Sequence, residues 1–284
     1  MGMIKARIMT RFRYRTICVW LGLLFHAVEA CGVVVVTGED VTSPNGIGGC
    51  IQIETTAGTY YLQKAGGSLA SLVDKQGKDW IGHGLVPKDA GSWRGIPQAN
   101  LIDFRPERRN GSSVIKSSNP TQVKVESKTD KGTALWTFYD THVDWEVIEV
   151  KAVFTLSYEG APYDDFSKSA VSYTLSDGTH NAISSGFAED IKGKAGQGEW
   201  LYFSHEATTR GLLFVNHTDD NTMDYMGSLS HMTVFGFGRN GGGQNYVFDT
   251  TPQQFSIGLI EDVSVATAGA AAENWCAPAA KLNQ

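Results

Sequence analysis

Short runs of β-branched and aromatic residues recur along this chain, and glycine-rich turns separate them. The chain contains 32 glycines and only 8 prolines. The strand candidates are CIQIETT, TYYLQ, SLASLVD, TQVKVES, ALWTFYD, VDWEVIEVKAVFTLSYEG, AVSYTLS, WLYFSH, GLLFVNH, HMTVFGFG and QQFSIGLIE. No segment keeps a helical period of 3.6 over three turns. The pattern therefore predicts an all-β fold, an antiparallel two-sheet β-sandwich or jelly roll.

The longest of these runs changes phase within itself. Up to Val147 its apolar residues occupy odd positions, and from Ile148 to Leu156 they occupy even positions. Because side chains alternate strictly between the two faces of a strand, such a slip is what a β-bulge produces. We expect a bulge between Val147 and Ile148.

The first thirty residues have the pattern of an export signal. Five basic residues precede the apolar run ICVWLGLLFHAV, which ends at VEA before Cys31. This run is too short to be a stable membrane anchor. We expect a secreted protein, extracellular or periplasmic, with a signal peptide at 1–30, one β-sandwich catalytic domain at 31–266 and a C-terminal surface tail at 267–284.

Three cysteines follow the signal, which is an odd number for an exported chain. The sequence VEAC partly resembles a bacterial lipobox, and lipid anchoring at Cys31 would leave Cys50 and Cys276 to pair. The alternative is a disulfide between Cys31 and Cys50 with Cys276 unpaired. The sequence leaves both arrangements open.

The charge balance restricts the class of ligand. Without residues 1–30 the chain has 19 Lys and Arg against 29 Asp and Glu, a net charge near −10. Nucleic acid requires a basic stripe, so it is excluded as a partner. A polyanionic ligand would need a local basic pocket, because the overall field repels it.

The stretch HMTVFGFGRNGGGQNY, residues 231–246, combines a strand with a glycine-rich loop. With a period of two, one face carries His231, Thr233, Phe235, Phe237 and Arg239, and the other carries Met232, Val234, Gly236 and Gly238. One interpretation is a core strand followed by a hairpin loop. The other is an aromatic sugar-binding groove with Tyr246 presented at its rim by the loop.

Several common catalytic signatures are missing. The chain has no GxSxG, HExxH, P-loop or dinucleotide-binding motif, and no paired Cys-x-x-Cys spacing. The segment NHTDDNTMDY groups Asp219, Asp220 and Asp224, which fits either a structural Ca²⁺ site or an ordinary acidic turn. No cofactor is required by any motif.

Four segments carry a resemblance to a known family. They are GGSLASLVDKQGKDWIG, WRGIPQ, GEWLYF and HMTVFGFGR. They resemble secreted β-sandwich polysaccharide lyases, most closely the ulvan lyases of polysaccharide lyase family 28, from about residue 50 to 262. The resemblance implies β-elimination on a uronic-acid-containing polysaccharide. The first segment also resembles the opening hairpin of galactose-mutarotase-like sandwiches.

β-Elimination at a uronic acid requires three groups. A cation must neutralise the carboxylate as enolate-like charge develops, a base must remove the C5 proton, and an acid must protonate the leaving oxygen. A tyrosine can be both base and acid when a neighbouring cation lowers its pKa from about 10.

Arg94 is the predicted neutraliser, because a guanidinium pairs bidentately with a carboxylate. Tyr246 is the predicted base. The further catalytic candidates are Lys124 and His231, and the substrate-binding candidates are Trp93, Arg239, Phe237, Lys151 and His205. Either His205 or His231 could replace Tyr246 as the base. Each residue also has a structural interpretation, as a loop brace, a half-buried strand residue or a solvated lysine.

Three other classes of protein compete with a lyase. A carbohydrate-binding module would bind sugar by aromatic stacking alone. A glycoside hydrolase needs two carboxylates across the scissile bond, and the candidates are Glu159, Asp164, Asp165, Glu189 and Glu199. A mutarotase-like epimerase is the last. We expect a monomer that acts on an acidic polysaccharide, with no protein partner implied.

Overall fold

The computed structural model describes residues 32–82, 95–106, 110–165, 167, 169–193, 198–229, 232–241 and 246–277. The strands are β1 Val35–Val41, β2 Cys50–Glu54, β3 Gly58–Gln63, β4 Ser68–Asp74, β5 Ser112–Asn119, β6 Gln122–Lys128, β7 Gly132–Phe138, β8 His142–Val150, β9 Leu156–Gly160, β10 Val171–Leu175, β11 His180–Ala182, β12 Phe187–Glu189, β13 Glu199–His205, β14 Gly211–Asn216, β15 Asp224–Leu229, β16 Met232–Phe237 and β17 Gln253–Ile260. Short 3₁₀ turns cover Asn100–Ile102 and Pro162–Asp164, and helix α1 covers Val265–Cys276.

The strands form one large and two small antiparallel sheets. The large sheet has nine strands in the order β11-β10-β13-β14-β17-β8-β7-β6-β5. The N-terminal sheet is β1-β2-β3-β4, and the sheet that we call the β9 sheet is β12-β15-β16-β9. None of the described helices is long and apolar enough to cross a membrane.

A short segment after residue 94 joins the two small sheets. Gly95 exchanges two backbone hydrogen bonds with Glu159 of β9, at 2.8 and 3.2 Å, and Ile96 does the same with Leu69 of β4, at 2.7 and 3.1 Å. The small sheets and this segment therefore form one layer opposite the large sheet. The predicted all-β antiparallel sandwich is confirmed.

Aromatic side chains fill the space between the two layers. Trp136 and Trp145 of the large sheet are fully buried, and their ring centroids are 6.0 Å apart. Tyr158 of β9 packs on Phe203 and Phe214 of the large sheet, at 5.3 Å from each. Since each large buried apolar side chain contributes roughly 1.5–3 kcal/mol, this core is the main source of stability.

The predicted bulge is confirmed. Thr133 pairs with Glu149 and Ala134 pairs with Val147, so Ile148 has no partner on β7. The side chain of Ile148 is accordingly exposed. The chain leaves the large sheet at Val150 and enters the β9 sheet at Leu156, so the single run of the sequence supplies a strand to each layer.

The segment that the sequence assigned to a C-terminal surface tail, 267–284, belongs to α1 as far as Cys276. Ser264 caps this helix through a reciprocal capping box with Thr267. Ala268, Ala272 and Trp275 recur at helical spacing and pack on the outer face of the large sheet. The small alanines give almost no hydrophobic period, which is why the sequence did not reveal the helix.

The two described cysteines are not paired with each other. Cys50 lies buried in β2, where its thiol donates to the carbonyl of Ile47 at 3.4 Å, and Cys276 ends α1 on the other layer. The structure therefore does not have the Cys50–Cys276 disulfide, which was one of the two arrangements that the sequence left open. Burial raises the pKa of the Cys50 thiol to about 11. Residues 1–30 and Cys31 lie outside the described residues.

Candidate functional site

The outer face of the β9 sheet carries the candidate site. Val234 of β16 lies opposite Glu159 of β9, and Gly236 lies between Ser157 of β9 and Tyr225 of β15. These residues share one face, because directly paired residues point to the same side of a sheet. The alternate residues of the same strands point into the sandwich.

The aromatic face of β16 belongs to the core. Phe235 and Phe237 are fully buried, with Phe235 at 5.6 Å from Phe214 and Phe237 at 6.3 Å from Phe255. Phe214 and Phe255 come from the large sheet, which covers this face. The prediction that Phe237 binds substrate is therefore wrong.

Arg239 lies on the face opposite to the one that the sequence predicted. Gly238 has φ 67°, and a Cβ there would meet the ring of Phe248 at 2.5 Å, so this turn requires glycine. The turn breaks the period of two. Arg239 consequently lies beside Gly236, where an added Cβ would come within 3.0 Å of the Arg239 Cβ.

Arg239 and Glu159 form a buried ion pair on this face. Nη1 of Arg239 is 3.1 Å from Oε1 of Glu159 and 3.3 Å from the hydroxyl of Ser157. The two residues are only 4% and 5% exposed. The guanidinium carbon is 5.9 Å from the ring centre of Tyr225, within the range of a cation–π contact. The predicted substrate-binding cation is thus already paired with a carboxylate.

The glycine-rich loop returns the chain to the same place. Tyr246 forms a β-bridge with Arg239, and the backbone N–H of Val247 donates to the carbonyl of Gly238 at 3.1 Å. Tyr246 is 7% exposed. The structure therefore brings the predicted base next to Arg239, whereas residues 242–245 lie outside the described residues.

Three predicted site residues, Trp93, Arg94 and His231, lie outside the described residues. The segment that follows Arg94 is described. Its Gly95 bridges Glu159, and the backbone N–H of Gln98 donates to the carbonyl of Ser157 at 2.8 Å. The chain therefore emerges from residue 94 alongside the strand that holds the ion pair.

Gln98 is a site residue that sequence reasoning missed. Its side chain is fully buried, and neither amide atom has a hydrogen-bond partner among the described residues. Leaving such groups unpaired is costly, so buried amides without partners are rare in folded proteins. The only available signal was its position in WRGIPQ next to the predicted arginine.

The other predicted basic residues lie elsewhere. Lys124 is on the outward face of β6 in the large sheet, and the Nζ of Lys151 donates to the carbonyl of Asp130 at 3.1 Å. His205 of β13 places Nε2 at 2.8 Å from Asp165 and accepts from the N–H of Ala207 through Nδ1. Lys124 faces away from the ion pair, so the prediction that it acts beside Tyr246 is wrong.

A cluster of buried acids supports the strand that carries the site. Asp224 accepts hydrogen bonds from the backbone N–H of Gly238 at 2.9 Å and of Ile191 at 3.0 Å. Burial, more than the neighbouring acids, raises the pKa of Asp224 to about 7. Asp224 thereby fixes the turn that sends Arg239 to the outer face.

Glu199 lies in the same acidic cluster. It accepts from the Asn216 amide at 2.9 Å and from the Asp220 backbone N–H at 2.8 Å. Burial, followed by the charges of Asp224 and Asp220, raises the pKa of Glu199 to about 9. Neutral pH therefore keeps this carboxyl protonated.

The three aspartates of NHTDDNTMDY lie among the described residues. Among the described residues, which include Asp219, Asp220 and Asp224, no group of three or more His, Cys, Asp or Glu side chains could hold a metal ion. Asp219 accepts from the N–H of Gly193, and Asp220 accepts from the N–H of Thr222. Asp219 and Asp220 therefore accept hydrogen bonds from backbone groups, as the carboxylates of an acidic turn do.

Comparison with known proteins gives a structural likeness but no match of sequence. No family model matches the chain, and no curated protein matches its sequence. Among solved structures, the chain is similar to the one reported as "Crystal Structure Analysis of HI1317", with a TM-score of 0.49 and 10% identity. The matched region covers 80% of this chain and 99% of that chain.

Proposed function

We propose that this protein is a secreted polysaccharide lyase that cleaves a uronic-acid-containing, ulvan-like polysaccharide by β-elimination on the outer face of the β9 sheet. One observation carries the proposal. Tyr246 bridges Arg239, Arg239 pairs with Glu159, and Glu159 bridges Gly95, the residue after Arg94. The predicted base and the predicted neutraliser are thus linked through three intervening residues, Arg239, Glu159 and Gly95.

Each residue has a distinct role in the proposed reaction. Tyr246 removes the C5 proton and then protonates the leaving glycosidic oxygen. Arg94 neutralises the uronate, so that charge can develop beside it in the transition state. Arg239 is a positioning residue, because Glu159 already satisfies its charge and its bridge holds Tyr246 in place.

The described carboxylates favour a lyase over a hydrolase. A hydrolase needs two carboxylates free to act across one glycosidic bond. Glu159 is paired with Arg239, Asp165 is paired with His205, and Glu199 is bound by Asn216 and by the N–H of Asp220. The remaining two candidates, Asp164 and Glu189, lie on separate elements, a 3₁₀ turn and β12.

The aromatic residues favour an enzyme over a binding module. A stacking module presents flat, exposed aromatic rings to the sugar. The described residues with large exposed apolar side chains are Val33, Val35, Val114, Ile148, Val153 and Met223, and none of them is aromatic. Four of the described tryptophans are fully buried, namely Trp80, Trp136, Trp145 and Trp200.

The test is a time course of ultraviolet absorbance from the conjugated double bond that elimination leaves on the uronyl residue. The purified chain without residues 1–30 is incubated with ulvan, desulfated ulvan, glucuronan and alginate. We expect the absorbance to rise with at least one of them. New reducing ends without absorbance would replace the lyase with a hydrolase, and binding without either product would replace it with a carbohydrate-binding module.

A further inference from the structure

A large cavity opens on the other side of the molecule, between α1 and the outer face of the large sheet. Its volume is about 930 Å³, and it is lined by strands β8 and β17, the loop after β14 and the helix. Small-molecule sites typically occupy cavities of roughly 300–1,000 Å³. The β9 sheet, which carries the proposed lyase site, does not line this cavity.

Three stacked rings form one wall of the cavity. The imidazole of His142 lies between the rings of Tyr139 and Trp275, at 4.8 Å and 4.7 Å, with interplanar angles of 21° and 13°. The Nδ1 atom of His142 is 3.1 Å from the hydroxyl of Thr141, and its Nε2 is 3.5 Å from Asp144. This stack holds a rigid aromatic surface next to a carboxylate.

Asp144 lies at the floor of the cavity in a directed hydrogen-bond chain. The Ser256 hydroxyl donates to Oδ1 of Asp144 at 2.5 Å, and the Gln254 amide donates to Oδ2 at 3.0 Å. Because Ser256 donates to Asp144, it accepts from Nε2–H of His217, which is 2.7 Å away. Asp144 lines the cavity, and its side chain keeps 11% of its surface exposed.

The charged residues in the described lining of the cavity are both acidic. Its charged lining residues are Asp144 and Glu261, and no Lys or Arg of the described chain lines it. Burial lowers the pKa of His142 to about 3 and that of His217 to about 4, so both imidazoles are neutral at pH 7. Glu261 is paired with Arg210 at 2.7 Å. Lys124 shares this face of the sheet, but two strands away from Asp144 and outside the lining.

We propose that this cavity is a binding site for a small organic ammonium ion, which would place its charged nitrogen at Asp144 and its apolar part against Trp275 and the alanines of α1. A carboxylate beside aromatic rings, with no Lys or Arg in the lining that the structure describes, is the arrangement that recognises ammonium groups. Anionic sugars are repelled by the same charge. The site is therefore distinct from the proposed lyase site and independent of it.

Isothermal titration calorimetry with benzylamine, at neutral pH and on the chain without residues 1–30, tests the proposal. Benzyl alcohol is the neutral probe of nearly the same shape. We expect benzylamine to bind at least about 10-fold more tightly than benzyl alcohol, a difference of about 1.4 kcal/mol. Asp144→Asn should remove this preference for benzylamine. The control variant is Glu273→Gln, which removes an exposed carboxylate of α1 that does not line the cavity, and it should preserve the preference.

A second variant keeps the test valid if Asp144→Asn does not fold. Ala271 lines the cavity from α1, so Ala271→Leu fills part of it without touching the hydrogen-bond chain. We expect this variant to weaken benzylamine binding. Equal affinity for the two probes, no binding at millimolar benzylamine, or unchanged binding in Ala271→Leu would each overturn the proposal. Binding of neutral monosaccharides in preference to benzylamine would make it a sugar site instead.

Discussion

Arg239 and Glu159 form an ion pair at 3.1 Å on the outer face of the β9 sheet, although the strand period places Arg239 with the core residues Phe235 and Phe237. The turn at Gly238 is responsible, since its positive φ moves the next side chain to the opposite face. Asp224 holds this turn by accepting the Gly238 N–H. A buried acid on β15 therefore determines on which side of the sheet an arginine lies.

The first prediction concerns the stability of that pair. Glu159→Ala leaves the Arg239 guanidinium buried and unpaired, and removing one partner of a buried ion pair typically costs about 3–5 kcal/mol. We expect the free energy of unfolding, measured by urea denaturation, to fall by about this amount. The midpoint of denaturation should shift accordingly.

The control is an exposed ion pair of the large sheet. Lys128 and Glu126 are 3.1 Å apart, and the Lys128 side chain is more than half exposed. Exposed pairs contribute about 0–1 kcal/mol, so Lys128→Ala should change the free energy of unfolding by less than about 1 kcal/mol. Equal losses in the two variants would show that burial does not set the strength of the Arg239–Glu159 pair.

The second prediction concerns the proposed base. Tyr246→Phe removes one hydroxyl and keeps the ring, so this variant should unfold at nearly the same temperature as the wild type. Because general acid–base groups contribute about 10²–10⁴-fold to rate, we expect kcat for double-bond formation to fall by at least about 100-fold. The initial rate of the ultraviolet signal measures this loss.

Tyr61→Phe is the matched control for Tyr246→Phe. Tyr61 is a half-buried tyrosine on β3 of the N-terminal sheet and has no contact with the ion pair in the described structure. Its variant should cleave at the wild-type rate. Normal cleavage by Tyr246→Phe would assign the base to another residue, with His231 and His205 as the next candidates.

The third prediction concerns Arg94 and Lys124, two basic residues that the sequence analysis both assigned to the catalytic site. Arg94→Ala should lose nearly all activity, because the uronate would no longer be neutralised as charge develops. Lys124→Ala should keep it, since Lys124 lies on the outward face of the large sheet. The measurement is kcat/KM on the substrate that responds in the panel. Loss of activity in Lys124→Ala but not in Arg94→Ala would move the site to the other layer.

The sequence predicted those features that depend on neighbouring residues. The bulge at Ile148 follows from a change of side-chain phase over a few positions, and the structure has it there. The return of Tyr246 to the end of β16 likewise follows from a short glycine-rich loop. Local spacing is sufficient in both cases.

Features that depend on distant residues could not be predicted in this way. A period of two shows that Phe237 and Gly236 lie on opposite faces, but not which face the large sheet covers. The side of Arg239 depends on Phe248, whose ring excludes any residue but glycine at 238. The cavity at Asp144 joins residues more than one hundred positions apart, so no local pattern indicates it.

The last prediction concerns the effect of pH on stability. The pKa of Glu199 rises from 4.5 to about 9 on folding because the group is buried. Below pH 4.5 both states hold the proton. Between these values the unfolded chain releases the proton and the folded chain keeps it, so the free energy of unfolding falls as pH rises, by at most about 1.4 kcal/mol per pH unit.

Other buried groups also titrate between pH 7 and pH 9, so the contribution of Glu199 is isolated by comparing wild type with Glu199→Gln. Asp224, with a pKa of about 7, is half ionised at pH 7, whereas Asp79 and Asp144, with pKa values of about 6, are mostly ionised there. Burial raises the pKa of the Cys50 thiol to about 11 and that of the Cys276 thiol to about 12, so both thiols contribute near pH 9. The buried histidines, whose pKa values are lowered from 6.5, change stability only in the range below about pH 6.5.

Urea denaturation should therefore show stability falling from pH 7 to pH 9 in wild type and in the control Glu189→Gln, which changes an exposed glutamate. The side chain of Glu199→Gln cannot ionise, so the stability of this variant should fall much less steeply there, whatever its absolute value. A wild-type slope in Glu199→Gln would show that Glu199 is already ionised in the folded protein.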